Sequence, residues 1–263
     1  VVLTEEYYFA HLCEKRLRQF FFLNQTPFDM KRVIITGATK GIGRAIAEAF
    51  ADDGFDLALC ARTEADLNQF KTELTQKHPN AEILIRPVDV RDKAAVIAFA
   101  QWVQSHWERV NVLVNNAGIF FPGQIHQEAD GVLEEMMHTN LYSAYHLTRA
   151  ILPAMLPHKS GHIFNMCSIA SLFAYPNGGA YSITKFALLG FSKVLREEMK
   201  DKGIRVTSIL PGATWSNSWA GAELPEDRLM QPRDIASVVL NAWKLSPTAV
   251  VEEIVIRPQL GDL

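Results

Sequence analysis

Thr36-Gly37-Ala38-Thr39-Lys40-Gly41-Ile42-Gly43-Arg44 joins an apolar run, Arg32 to Thr36, to a helical run, Ala45 to Asp53. Glycines at 37, 41 and 43 permit a tight turn, close approach of backbone to a pyrophosphate, and close packing of helix on strand. The phosphates then sit at a helix N-terminus, where free N–H groups and the helix dipole favour negative charge. A glycine pattern by itself is weak, and its place between a first strand and a first helix makes it specific. Gly37, Thr39, Lys40, Gly41, Ile42 and Gly43 are therefore expected to cradle a dinucleotide.

Beyond this turn the chain alternates. Short runs rich in β-branched residues occur at Arg32–Thr36, Asp56–Cys60, Glu82–Arg86, Val110–Asn115, Gly161–Met166, Ile204–Leu210 and Glu253–Arg257, with helical segments between them. Their continuous apolar character indicates strands buried on both faces. The expectation is an α/β fold: one doubly wound Rossmann domain with a seven-stranded parallel sheet, spanning residues 30–263.

Residues 1–29 stand apart from this pattern. Phe9, Leu12, Cys13, Leu17, Phe20 and Phe21 fall at helical spacing among balanced charges, without the basic start and uninterrupted apolar core of a signal peptide. The expectation is an N-terminal extension, either a non-native upstream stretch without a role in the chemistry or an accessory helix that packs on the domain or on a partner.

The 263 residues carry a net charge of −3, which argues against nucleic acid or an anionic membrane as the main partner. No apolar run reaches the ~18–20 residues that a membrane span requires. The three cysteines, Cys13, Cys60 and Cys167, are widely spaced and lack zinc-site spacing. They read as thiols of a reducing compartment, hence a cytoplasmic protein.

The end of the second strand selects among dinucleotides. An NAD site usually carries an acid there for the ribose 2′-hydroxyl, but Cys60-Ala61-Arg62-Thr63 offers alanine and then arginine. Arg62 and Lys40 place two cations where a 2′-phosphate would lie, which points to NADP(H). Glu64 and Asp66 read as first-turn helix acids, with Thr63 as N-cap and Asp66 completing an approximate capping box. Asp89 and Val90 follow the third strand, where a carboxylate can meet the adenine amino group, although Asp89 would serve equally as a helix cap. Asn116, Ala117 and Gly118 follow the fourth and offer small residues and an amide to the same pocket.

Tyr181 and Lys185 are four positions apart in a helical stretch, so a phenol and an ammonium share one face. A neighbouring cation favours the phenolate and brings the phenol toward the working range of an acid/base group. Ser168 ends the fifth strand thirteen residues earlier, and Asn140 lies twenty-eight residues before that. Taken singly, Ser168 also suits a strand-end cap and Asn140 a polar helix residue.

With these elements in order, residues 31 to about 257 resemble the short-chain dehydrogenase/reductase family. The resemblance rests on T-G-x-x-x-G-x-G, the Asp-Val after strand three, Asn-Asn-Ala-Gly, the Asn/Ser/Tyr/Lys set, and Pro211-Gly212 after strand six. It implies hydride transfer between NADP(H) and a carbonyl/alcohol pair. Tyr181 would be the general acid in reduction, and Lys185 would hold the nicotinamide ribose and lower the phenol's pKa. Ser168 would hydrogen-bond the substrate oxygen, and Asn140 would fix a water linking Lys185 to solvent. Pro211, Gly212, Thr214 and Ser216 would meet the nicotinamide carboxamide. The resemblance also implies a homo-oligomer, tetramer or dimer, built on long helices at 131–157 and 181–200.

Substrate residues are less specific. Phe120, Phe173, Tyr175, Trp215 and Trp219, with Ile119, Phe121, Leu224 and Met230, suit an apolar or planar carbonyl better than a sugar. Three classes stay open: 3-oxoacyl thioesters, pteridine-type ring carbonyls, and other ketones or aldehydes. The rival function is a catalytically silent NADP(H) sensor or scaffold on the same fold.

Overall fold

Each central strand alternates its side chains between two apolar layers. Val33 and Ile35 face one, with Phe50, Phe55 and Phe70, while Ile34 faces the other, with Val96, Phe99 and Trp107. All of these are at most 2 % exposed, and burying each such side chain contributes about 1.5–3 kcal/mol. A sheet buried on both faces needs helices on both, and parallel strands need crossovers to return the chain.

The computed structural model describes residues 30–215 and 224–262. Its strands are β1 (Arg32–Thr36), β2 (Asp56–Ala61), β3 (Ile83–Pro87), β4 (Val112–Asn115), β5 (Gly161–Met166), β6 (Ile204–Pro211) and β7 (Glu253–Ile256). The helices are α1 (Gly41–Asp52), α2 (Glu64–Lys77), α3 (Lys93–His106), α4 (Val132–Met137), α5 (Ser143–Ile151), α6 (Gly179–Met199) and α7 (Pro232–Lys244). The sheet is parallel throughout, in the order β3-β2-β1-β4-β5-β6-β7. Helices α1 and α7 cover one face, and α3, α5 and α6 the other. This is a Rossmann-type doubly wound fold, and Arg32–Leu263 forms one compact unit. The expected extension over 1–29 lies outside the described residues.

Two sequence expectations are corrected. The single helix over 131–157 is instead α4, a π-helical turn at His138–Tyr142, α5, and short 3-10 turns at Leu152–Ala154 and Leu156–His158. Pro153 and Pro157 end the regular helix because proline lacks the N–H and clashes with the preceding turn. The wider turn falls at Asn140, whose amide is drawn into tertiary hydrogen bonds. Thr63 does occupy the N-cap position of α2, but its hydroxyl makes no cap bond and Asp66 pairs elsewhere.

Candidate active site

The strand order reverses between β1 and β4, and the diverging loops leave a crevice at the carboxyl ends of the strands. A cavity of about 1230 Å³ occupies this region. At one part of its wall Gly37 adopts φ +63°, a left-handed conformation that glycine takes without strain. A Cβ at Gly43 would collide with the Gly37 carbonyl oxygen and the Asn116 amide, so the turn and helix pack at backbone distance. Asn116 braces the turn: its Nδ2 donates to the carbonyls of Thr36 (2.9 Å) and Gly37 (3.2 Å). The Thr36 hydroxyl in turn accepts from the N–H groups of Asn116 and Ala117, both at 3.0 Å. Helix α1 begins without a side-chain cap or a first-turn acid, and its first residues line the cavity. Orphan N–H groups held this way fit a pyrophosphate.

Arg62 lines the same cavity just past β2 and forms no ion pair among the described residues. Lys40 bonds Asp66 at 2.9 Å, which explains the missing capping box. Asp89 is not the helix cap, since Asp92 fills that place by accepting from the Ala94 N–H at 2.8 Å. The Asp89 carboxylate is instead gripped by Arg91, whose hydrogen bonds hold it below the usual carboxylate range.

Beyond β5, Ser168 caps a short 3-10 turn, with its Oγ accepting from the Ala170 N–H at 3.1 Å. The cap leaves the hydroxyl proton free to donate. Ser168 also faces the Tyr181 phenol and draws that pKa down, but burial is the larger effect and the phenol ends above its ordinary value. Lys185 is 4 % exposed, and burial lowers its ammonium to about 8. Its Nζ donates to the Met166 carbonyl at 2.8 Å and lies 5.6 Å from the centre of the Tyr181 ring. The expectation that Lys185 depresses the phenol is thus not met: the dry surroundings that raise the tyrosine also weaken the ammonium's hold on its proton.

Asn140, 1 % exposed, sits behind this pair. Its Nδ2 donates to the Ile119 carbonyl (3.0 Å) and the Thr184 hydroxyl (2.9 Å), and its Oδ1 accepts from the Ile119 N–H (2.8 Å). Both amide protons are therefore used within the protein. The side chain ties the segment after β4 to α6, one residue from Lys185.

A match to the short chain dehydrogenase family model covers residues 31–226. The chain belongs to that family. This short chain dehydrogenase is 33% identical over 243 residues to the sepiapterin reductase of Chlorobaculum tepidum, covering 89% of this chain and 99% of the relative. Among solved structures it resembles an alcohol dehydrogenase from the archaeon Thermococcus sibiricus complexed with 5-hydroxy-NADP. There the TM-score is 0.82 at 30% identity, covering 88% of this chain and 97% of the other. It also resembles the L-sorbose reductase of Gluconobacter frateurii complexed with NADPH and L-sorbose, with a TM-score of 0.79 at 27% identity over 87% of this chain and 95% of the other.

In this short chain dehydrogenase the cavity collects Gly37, Thr39, Lys40, Gly41, Ile42, Gly43, Arg62, Asp89, Val90, Asn116, Ala117, Gly118, Pro211, Gly212 and Thr214. Ser168, Tyr181, Lys185, Phe120, Phe173 and Tyr175 line it too. Phe120 meets Tyr181 edge-on, with ring centroids 4.8 Å apart. Thr214 turns its hydroxyl onto the Gly212 carbonyl at 3.0 Å. Trp215 does not line the cavity, and its main chain pairs with Met230. Met230 packs in the core against Ile235, not in the pocket. Ser216 and Trp219 lie outside the described residues.

Several supporting contacts carry no signal in the sequence. Glu128 accepts from the Ala180 N–H at 2.9 Å and so caps α6 from a distant loop. That loop is fastened again by a bridge between Gly123 and Gly178, and a Cβ at Gly179 would strike both the Glu128 carboxylate and the Gly123 carbonyl. Asn115, Asn165 and Ser192 form a buried chain of hydrogen bonds from β4 through β5 to α6 (2.8 Å at each link). The contacts made by Glu128, Asn115 and Ser192 are set by tertiary register, which leaves no local pattern.

Proposed function

We propose that this short chain dehydrogenase transfers a hydride between NADP(H) and a carbonyl/alcohol substrate. The observation that carries the proposal is the convergence of Ser168, Tyr181 and Lys185 on the cavity that also holds the uncapped, glycine-lined start of α1. Arg62 and Lys40 support selection of the 2′-phosphate, and the related structures complexed with NADP(H) support it independently. When bound, NADPH supplies the hydride. Tyr181 gives its proton to the carbonyl oxygen while Ser168 donates a hydrogen bond to the same atom. Lys185, charged at neutral pH, holds ribose hydroxyls, and Asn140 keeps the segment after β4 in place beside it. The buried phenol keeps its proton at neutral pH, the form that the acid in carbonyl reduction needs.

Phe120, Phe173 and Tyr175 favour an uncharged apolar or aromatic carbonyl. The likeness to a sepiapterin reductase makes pteridine-type carbonyls the first choice, ahead of 3-oxoacyl thioesters and simple ketones. NADPH oxidation measured across these classes and quinones tests the proposal. Turnover of one class supports it, and binding of NADPH without turnover of any would favour a silent sensor.

Tyr142, Tyr145, Ile183, Phe186 and Val194 leave large apolar side chains exposed on the α4–α6 region. They support a homo-oligomer, dimer or tetramer, which light scattering would contradict by giving a monomer mass. The buried thiols of Cys60 and Cys167 are in keeping with work in the cytoplasm.

A further inference from the structure

Pro211, Gly212, Ala213 and Thr214 line the cavity wall, in the segment expected to meet the nicotinamide carboxamide. Arg257 and Asp262, which follow β7, line the same cavity. The Asp262 carboxylate reaches back onto the segment: Oδ1 accepts from the Ala213 N–H at 3.2 Å, and Oδ2 accepts from Arg257 Nε at 2.7 Å. A turn closed by the Gly261 N–H on the Pro258 carbonyl (2.8 Å) brings the carboxylate round. Arg228, from a 3-10 turn at Glu226–Arg228, straps that turn down. Its Nη1 donates to the Gly261 carbonyl at 2.8 Å and its Nη2 to the Asp262 carbonyl at 3.2 Å.

The approach is close. A Cβ at Gly212 would lie 2.1 Å from Asp262 Oδ1, so only glycine leaves room for the carboxylate there. Neighbouring main-chain groups of the segment are already committed: the Gly212 N–H donates to the Ile256 carbonyl at 2.8 Å, and the Ala213 carbonyl accepts from the Met230 N–H at 3.1 Å. Asp262 takes up the Ala213 N–H, and an ionised acceptor makes that bond stronger than a neutral one. The pair with Arg257, whose side chains are 48 % and 24 % exposed, is open enough to contribute little by itself. The bond to Ala213 is therefore the part that shapes the cavity wall.

We propose that Asp262 is a positioning residue for the nicotinamide half of the coenzyme: through the Ala213 N–H it holds the segment after β6 in the shape that receives the carboxamide. This rests on the NADP(H) assignment above. A wall formed in advance spares the coenzyme the cost of ordering it, and loss of one charge-assisted hydrogen bond corresponds to about a tenfold change in affinity. The phosphate and adenosine half is assigned to the start of α1, Lys40 and Arg62. None of these bonds to Asp262 among the described residues, so the effect is confined to the nicotinamide.

Equilibrium dissociation constants for NADPH and for 2′-phospho-ADP-ribose, the coenzyme without its nicotinamide, read by calorimetry, test the proposal. Asp262→Ala should weaken NADPH about tenfold and leave the fragment within about twofold of its wild-type value. Asp262→Asn keeps an acceptor for the Ala213 N–H and should hold NADPH within about threefold of the wild type. Arg257→Gln, which removes the ion pair and leaves the carboxylate on Ala213, should change NADPH binding as little. Asp262→Ser serves the same comparison if Asp262→Ala does not fold. Equal weakening of both ligands by Asp262→Ala would show a general structural role and overturn the proposal. So would unchanged constants, or a loss in Asp262→Asn as large as that in Asp262→Ala. Wild-type protein that binds neither NADPH nor the fragment would instead remove the cofactor assignment itself.

Discussion

The Lys185 ammonium donates to the main-chain carbonyl of Met166, at the end of β5, across 2.8 Å. Burial holds its pKa at about 8, against an ordinary 10.5. Between these values the unfolded chain keeps a proton that the folded protein has released, so stability rises with pH over this window. From about pH 7.5 to about pH 9.5 the gain should be about 2 kcal/mol. Urea unfolding of the wild type and Lys185→Met at both pH values isolates it, because other titrating groups cancel in the difference. An equal pH response in both proteins would remove Lys185 as the source.

Tyr181→Phe removes the phenolic proton and keeps the ring against Phe120. Turnover should fall by about 10²–10⁴-fold with NADPH affinity nearly unchanged. Steady-state kinetics beside a coenzyme titration reads both, and near-normal turnover would shift the acid role to another group.

Arg62 and Lys40 differ in readiness, since Lys40 is already paired with Asp66. Changing both to alanine should weaken NADPH by about 10–100-fold and leave NADH within about threefold. Arg62→Ala alone should account for most of the loss. Equal weakening of the two coenzymes would end the 2′-phosphate assignment.

Asn140→Ala leaves the Ile119 N–H and carbonyl and the Thr184 hydroxyl without their buried partner. A loss of about 2–4 kcal/mol in unfolding free energy is expected, read as a lower denaturant midpoint with an unchanged slope. An unchanged midpoint would mean that water replaces the amide freely.

Phe120→Ala takes away the edge-on partner of Tyr181. Aromatic carbonyls should lose about three- to tenfold in kcat/KM, and a small aliphatic aldehyde should lose little. Comparable losses on both would make Phe120 a support for the tyrosine and not a wall for substrate.

The layering of the fold is legible because strands buried on both faces write continuous apolar runs, and β1 and β5 match their sequence limits. The phosphate turn is legible for a different reason: its glycines answer local backbone demands. The helix over 131–157 misleads because helical spacing persists through the π turn, where Asn140 reaches Ile119 and Thr184. The chemistry of Lys185 and Tyr181 is legible in residue type but not in balance, since spacing shows that the two groups are close and says nothing of how dry they are. Arg91 is two residues from Asp89, yet its hold on Glu135 spans forty-four positions and leaves no mark in the sequence.

The fastening of the 120–128 segment to α6 has an evolutionary side. The stretch that supplies Phe120 to the pocket also supplies, through Glu128, the group that starts the helix bearing Tyr181. Grafting this stretch from a relative to transplant selectivity would import a foreign helix start and move the proton donor with it. Chimaeras that carry Gly123 and Glu128 across unchanged should keep the helix start and tolerate the exchange.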